Sequence, residues 1–172
     1  LFVRIGDDTA SGDINCGGFM TRWTVRENLF AGNVDGFVCH WTGAEGLLER
    51  NLFVFGRHEN NIDIKYHWQK YDEDPWSTIR HNVLYASDTR FSAITFQDGS
   101  SNLRAYGNVI HGTSQSNGQY DPRVALSIRG RSYDTHDIEV IGNWFDSAGT
   151  GGHAVQTSVQ SNDPGAVAGV SV

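Results

Sequence analysis

Lysine is nearly missing from this chain: Lys65 and Lys70 are the only two among 172 residues. There is no Lys/Arg run and the formal charge is −7, so the footprint of a nucleic-acid binder is absent and no nucleic-acid partner is expected. Long apolar runs are lacking as well. Nothing approaches the roughly 18–20 consecutive apolar residues of a membrane span, and no membrane insertion is expected. Cysteine occurs twice, and without any HxxxH, HExxH or CxxC spacing a zinc site has no support. Proline is limited to 3 residues while glycine reaches 20. Such a chain is rich in turns, yet 38% hydrophobic and 12% aromatic content suffices for a core, so it is not read as disordered. One domain is expected from this length. Leu1 opens an apolar run without a signal peptide, and the expected origin is a processed or truncated piece of a longer polypeptide.

What the chain does have is an internal repeat. Five segments carry an Asn followed by an apolar pair: Thr24-Val-Arg-Glu-Asn28-Leu-Phe, Leu47-Leu-Glu-Arg-Asn51-Leu-Phe, Thr78-Ile-Arg-His-Asn82-Val-Leu, Arg104-Ala-Tyr-Gly-Asn108-Val-Ile and Glu139-Val-Ile-Gly-Asn143-Trp-Phe. The residue three before each Asn is small or apolar (Val25, Leu48, Ile79, Ala105, Val140), and the anchors lie 23, 31, 26 and 35 residues apart. A solenoid accounts for this, with a coil of about 22–26 residues and the surplus leaving as loops.

An alternating run precedes each of the last four anchors, at Gly36–Trp41, Asn61–His67, Ala93–Gln97 and Val124–Arg129. Period two marks a strand with one buried and one wet face. The inward positions are Phe37/Cys39, Ile62/Ile64, Ile94/Phe96 and Leu126/Ile128. The expected fold is all-β, a parallel β-helix of about 5–7 coils with two or three short strands in each. It should occupy residues 1–162, leaving 163–172 as a linker, exit strand or cap. At the bends, Asn tolerates left-handed backbone angles, and inward amides stacked from coil to coil would form a ladder. Cys16 and Cys39 each lie 12 residues before an anchor and should share a column. Neighbours in a column stand about 4.8 Å apart, which suits either a disulfide or a buried pair of thiols.

These Asn turns and the strands before them resemble those of right-handed parallel β-helix proteins, the pectate-lyase-like superfamily, over roughly residues 14–159. The resemblance implies a single-stranded right-handed helix and an extracellular or cell-surface location. It does not choose among the lyases, hydrolases, epimerases, phage tailspikes and adhesins that share this scaffold.

Chemistry on such a scaffold belongs on the outward face of stacked strands. Alignment through the inward residues gives one outward column of Val38, Asp63, Thr95 and Ser127, and a second of His40, Lys65, Gln97 and Arg129. Lys65 and Arg129 then lie about 10 Å apart, close to a sugar repeat. Two long insertions leave from this neighbourhood, Trp68–Trp76 and Thr113–Arg123. Trp68, Tyr71, Trp76 and Tyr120 offer rings for stacking on sugars, and packing of each loop on its coil is the structural alternative. The expected partner is a polysaccharide.

If the resemblance extends to polysaccharide lyases, β-elimination on a uronate needs a cation at the carboxylate, a base for the C5 proton and an acid for the leaving oxygen. It implies Lys65 as base, with His67 as runner-up and His40 behind it, and Arg129 and Arg131 as carboxylate binders, with Gln97 and Asp63 beside the substrate. Asp63 opposes the lowered pKa that a Lys65 base requires, and an Asp63–Lys65–Arg129 surface ion-pair network is the structural alternative. His111 and His153 sit at turns and read as structural. Ca²⁺ is the cofactor that the acidic runs Asp72-Glu73-Asp74 and Asp7-Asp8 would suit, though neither has EF-hand spacing. A glycosidase needs two carboxylates about 5–9.5 Å apart, and Asp63 with Asp98 is the one outward pair on offer. The competing class is a non-catalytic structural, adhesion or tailspike-like segment, whose open sheet edges invite end-to-end association.

Overall fold

The computed structural model describes residues 14–17, 22–31, 37–40, 45–54, 61–65, 76–85, 92–111, 124–130, 133–146, 153–159 and 165–172, with the backbone alone for 14–17, 37–40, 153 and 159. Every regular element among them is a β-strand, and they form three sheets. The first sheet runs β1 (Ile14–Gly17), β4 (Phe37–His40), β7 (Ile62–Lys65), β10 (Ser92–Gln97), β13 (Val124–Gly130) and β16 (His153–Val159). The second runs β2 (Thr24–Arg26), β5 (Leu47–Glu49), β8 (Ser77–Arg80), β11 (Ser101–Tyr106), β14 (Thr135–Ile141) and β17 (Val167–Ser171). The third holds β3 (Leu29–Ala31), β6 (Leu52–Val54), β9 (Val83–Tyr85), β12 (Val109–His111) and β15 (Trp144–Asp146). Each strand from β1 to β14 pairs in parallel with the strand three further along the chain. A chain that visits three parallel sheets in rotation is consistent with a parallel β-solenoid. No described helix is long and apolar enough to cross a membrane.

The core is a set of columns, because identical registers bring like residues into line. Ile62, Ile94 and Leu126 form one column and Ile64, Phe96 and Ile128 another, all fully buried. Leu48, Ile79, Ala105 and Val140 fill the interior from the second sheet. Phe30, Phe53, Leu84 and Ile110 do so from the third, where the Phe30 and Phe53 rings stack with centroids 4.4 Å apart. Size is balanced within columns. Gly46 stands beside Trp23, and a Cβ on Gly46 would lie 2.0 Å from the Trp23 ring, so the glycine makes room for the indole. Cys16 and Cys39 are Cα partners, in the column their spacing predicts.

The Asn ladder is present and continuous. From Asn28 to Asn51, Asn82, Asn108 and Asn143, each backbone N–H and each side-chain amide donates to the next Asn Oδ1 at 2.9–3.2 Å. The second amide hydrogen reaches a backbone carbonyl, as in Asn82 Nδ2 to Leu48 O at 3.0 Å and Asn108 Nδ2 to Ile79 O at 2.9 Å. Against the expectation drawn from the tolerance of Asn for such angles, the left-handed angle does not fall on the Asn itself. It belongs to the residue before, Glu27, Arg50, His81, Gly107 or Gly142, with φ between 53° and 60°. This division leaves each Asn backbone N–H pointing along the stack, where it shares the ladder with the side chain.

The outward positions of the sheets differ in their exposure. The apolar pair after each Asn is not wholly interior: strand alternation turns Phe30, Phe53, Leu84 and Ile110 inward and leaves Leu52, Val109 and Trp144 exposed. Against expectation, most described polar residues on the outer face of the first sheet are withdrawn from water, Lys65 and Arg129 staying partly exposed. Asp63, Thr95, Gln97 and Ser127 were expected outward in solvent, and all four are buried.

Candidate functional site

The first sheet assembles the polar residues that the alignment brought together. Val38, Asp63, Thr95 and Ser127 are successive Cα partners, as are His40, Lys65, Gln97 and Arg129. Parallel pairing without a register slip is what transmits the alternation of one strand to the next. Asp63 lies at the centre of this group, 1% exposed. Lys65 Nζ is 2.8 Å from its Oδ2, and Gln97 Nε2 donates to its Oδ1 at 3.0 Å. Both carboxylate oxygens are therefore engaged by neighbours on the same face, which is how a buried charge becomes tolerable. Ser92 and Thr95 hydroxyls share a 2.6 Å hydrogen bond, and Arg129 Nε donates to Ser127 Oγ at 2.8 Å. Lys65 and Arg129 keep part of their side chains in solvent, with Gln97 between them. The pair thus stands about 10 Å apart along the stack.

The surface ion-pair alternative is also modified by these contacts: Asp63 is buried, and Arg129 bonds Ser127 while Lys65 takes the carboxylate. Trp76 lies away from this face. It precedes β8 in the second sheet, where the Arg104 guanidinium sits 5.1 Å from its ring centroid. Asp98 leaves the strand pattern, being buried in the turn after β10 with φ of 56°. His67, Trp68, Tyr71, Tyr120 and Arg131 fall outside the described residues, as do Asp7, Asp8, Asp72, Glu73 and Asp74. Among the described residues no group of three His, Cys, Asp or Glu side chains is placed to hold a metal ion.

A second polar group lies on the outer face of the second sheet. Glu49 is buried, and Arg80 Nε donates to its Oε2 at 2.8 Å. The same guanidinium donates from NH1 to Tyr106 Oη at 3.1 Å. The Arg80 hydrogen bond is the main cause that lowers the Glu49 pKa below its ordinary value, and it raises that of Arg80 in return. Arg104 pairs with Glu139 on the neighbouring strand, which raises the Arg104 pKa. Such links clamp adjacent strands.

The third sheet carries residues that the sequence reading missed or set aside. The outward columns of its strands are Leu29, Leu52, Val83, Val109 and Trp144, and Ala31, Val54, Tyr85, His111 and Asp146. His111 Nδ1 lies 2.7 Å from Asp146 Oδ2, and the Tyr85 ring meets the His111 ring edge-on at 5.3 Å. The signal was available: on a strand, the residues one and three after each Asn must share a face, opposite the residue between them.

Comparison of the chain with protein families, curated proteins and solved structures returned no match.

Proposed function

We propose that this chain is a single-stranded, right-handed parallel β-helix of about six stacked coils that serves as an extracellular carbohydrate-binding module of the pectate-lyase-like kind. The handedness follows the strong rule for crossovers between parallel strands. The coil count follows the strands in each sheet, 6, 6 and 5. The observation that carries the functional reading is the Lys65–Gln97–Arg129 array, two cations about 10 Å apart with an amide between them on a rigid sheet. That spacing and charge suit a uronate polymer lying along the stack, where a carboxylate can meet each cation.

Binding is favoured over β-elimination. A Lys65 base must give up a proton, whereas an Asp63 carboxylate oxygen 2.8 Å away favours the ammonium. The non-catalytic alternative therefore keeps its weight. The test incubates the protein with pectins, alginates and glycosaminoglycans, with Ca²⁺ and with a chelator. It records retention in affinity electrophoresis and the ultraviolet absorbance of unsaturated uronate. Retention that weakens in Lys65→Ala and Arg129→Ala, without new absorbance, is the expected outcome. New absorbance abolished by Lys65→Ala would restore the lyase, and retention by none of these polymers would sink acidic-glycan binding.

A further inference from the structure

The outer face of the third sheet is exposed and strongly apolar. Leu52, Tyr85, Val109 and Trp144 are 37%, 41%, 39% and 68% exposed. These side chains form one contiguous patch on a single sheet face rather than scattered exposed singles. Its dimensions restrict what can use it. Three residues per strand give a width of about 10 Å and five strands a length of about 20 Å, a footprint of roughly 200 Å². A stable protein interface needs about 800 Å² from each partner, far more than the described strands of this face offer by themselves. A chain-like ligand one ring wide fits.

The chemistry of the face narrows the ligand further. Trp144 and Tyr85 lie two strands apart and offer flat aromatic surfaces to the C–H faces of pyranose rings. Between and beside them, His111 and Asp146 supply donors and acceptors for hydroxyls. Their 2.7 Å contact, with Tyr85 against the His111 ring, holds both groups in place before a ligand arrives. Asp146 is an acidic group on this face, which carries no Lys or Arg among its outward described residues, so a polyanion is disfavoured here.

We infer that the third sheet binds a linear neutral polysaccharide, with Trp144 and Tyr85 stacking on sugar rings and His111 and Asp146 bonding their hydroxyls. This site is separate from the Lys65–Arg129 array, and it rests on the preceding proposal only in taking a glycan as the ligand class.

The test is affinity electrophoresis of the whole chain in gels containing mixed-linkage β-glucan, glucomannan or galactomannan, with polygalacturonate and alginate in parallel. Retention by at least one neutral polymer is expected. It should weaken about tenfold in Trp144→Ala and recover largely in Trp144→Phe. Circular dichroism confirms that the variants fold, and Tyr85→Ala serves as a second probe of the same face. Neutral-polymer retention unchanged in both Trp144→Ala and Tyr85→Ala overturns the site. So does retention by uronate polymers alone, which leaves the Lys65–Arg129 reading standing. Retention by no polymer of either class overturns both.

Discussion

Replacing Asn82 with Ala should cost far more than the same change at Asn28, although both residues occupy the same turn. Asn82 Oδ1 accepts from the Asn51 backbone and side chain, and its Nδ2 donates to Leu48 O and Asn108 Oδ1. All four bonds are buried, and each contributes about 1 kcal/mol net, so Asn82→Ala should lose about 4 kcal/mol. Asn28 donates from its side chain to Arg26 O and Asn51 Oδ1 in more exposed surroundings, and its loss should cost about 1 kcal/mol. For a chain of this length, 1 kcal/mol moves the melting temperature by about 2–4 °C. Thermal melts followed by circular dichroism should therefore drop by about 8–16 °C for Asn82→Ala and about 2–4 °C for Asn28→Ala. Asn82→Asp adds a control: it keeps the acceptor but turns an oxygen toward Leu48 O and Asn108 Oδ1. At neutral pH it should be no more stable than Asn82→Ala. Equal shifts at Asn82 and Asn28 would refute the claim that buried amide bonding, rather than turn geometry, stabilises these corners.

Gly142→Ala should cost about 1 kcal/mol, the left-handed penalty alone, because a Cβ there meets nothing within 4 Å. Gly107→Ala should cost more, since its Cβ would lie 2.7 Å from the His81 ring, and adding His81→Ala should return the excess in a double-mutant cycle. Gly46→Ala should lose about 1–3 kcal/mol through collision with Trp23, and Trp23→Leu in the same chain should recover part of it. Glu49 has a folded-state pKa below its unfolded one, so its contribution is complete above the ordinary carboxylate range and disappears as pH falls through the lowered value. Urea titrations across that acid range should show a shallower loss of stability in Glu49→Gln than in the parent chain.

The columns of the first sheet were legible because period-two patterning and parallel pairing are both local rules. Ile62 and Ile64 had to share a face, and Ile94 and Phe96 had to meet them in register. The Asn ladder was legible for the same reason. Solvent exposure was not. Asp63, Thr95 and Ser127 alternate with core residues as wet positions do, yet they are buried, and no local pattern distinguishes a covered polar face from an open one. His111 was read as a turn residue, although it closes β12 on the exposed face beside Asp146, and only the register between β12 and β15 brings that pair together. Trp76 followed the same loop as Lys65 in sequence but starts a different sheet, so proximity along the chain misplaced it.

The anchors are spaced 23, 31, 26 and 35 residues apart, yet every hydrogen bond of the Asn column has nearly the same length. Register is thus reset once per turn, at a point independent of how much chain lies between. Extra residues cannot accumulate into a phase error, because the next Asn restores the count. The length of chain between one anchor and the next is consequently free to vary without renegotiating the Asn column. A single residue added inside the short span from Val25 to Phe30, or any of its four equivalents, has no such freedom. The architecture separates what varies from what must not, and it does so with one amide per turn.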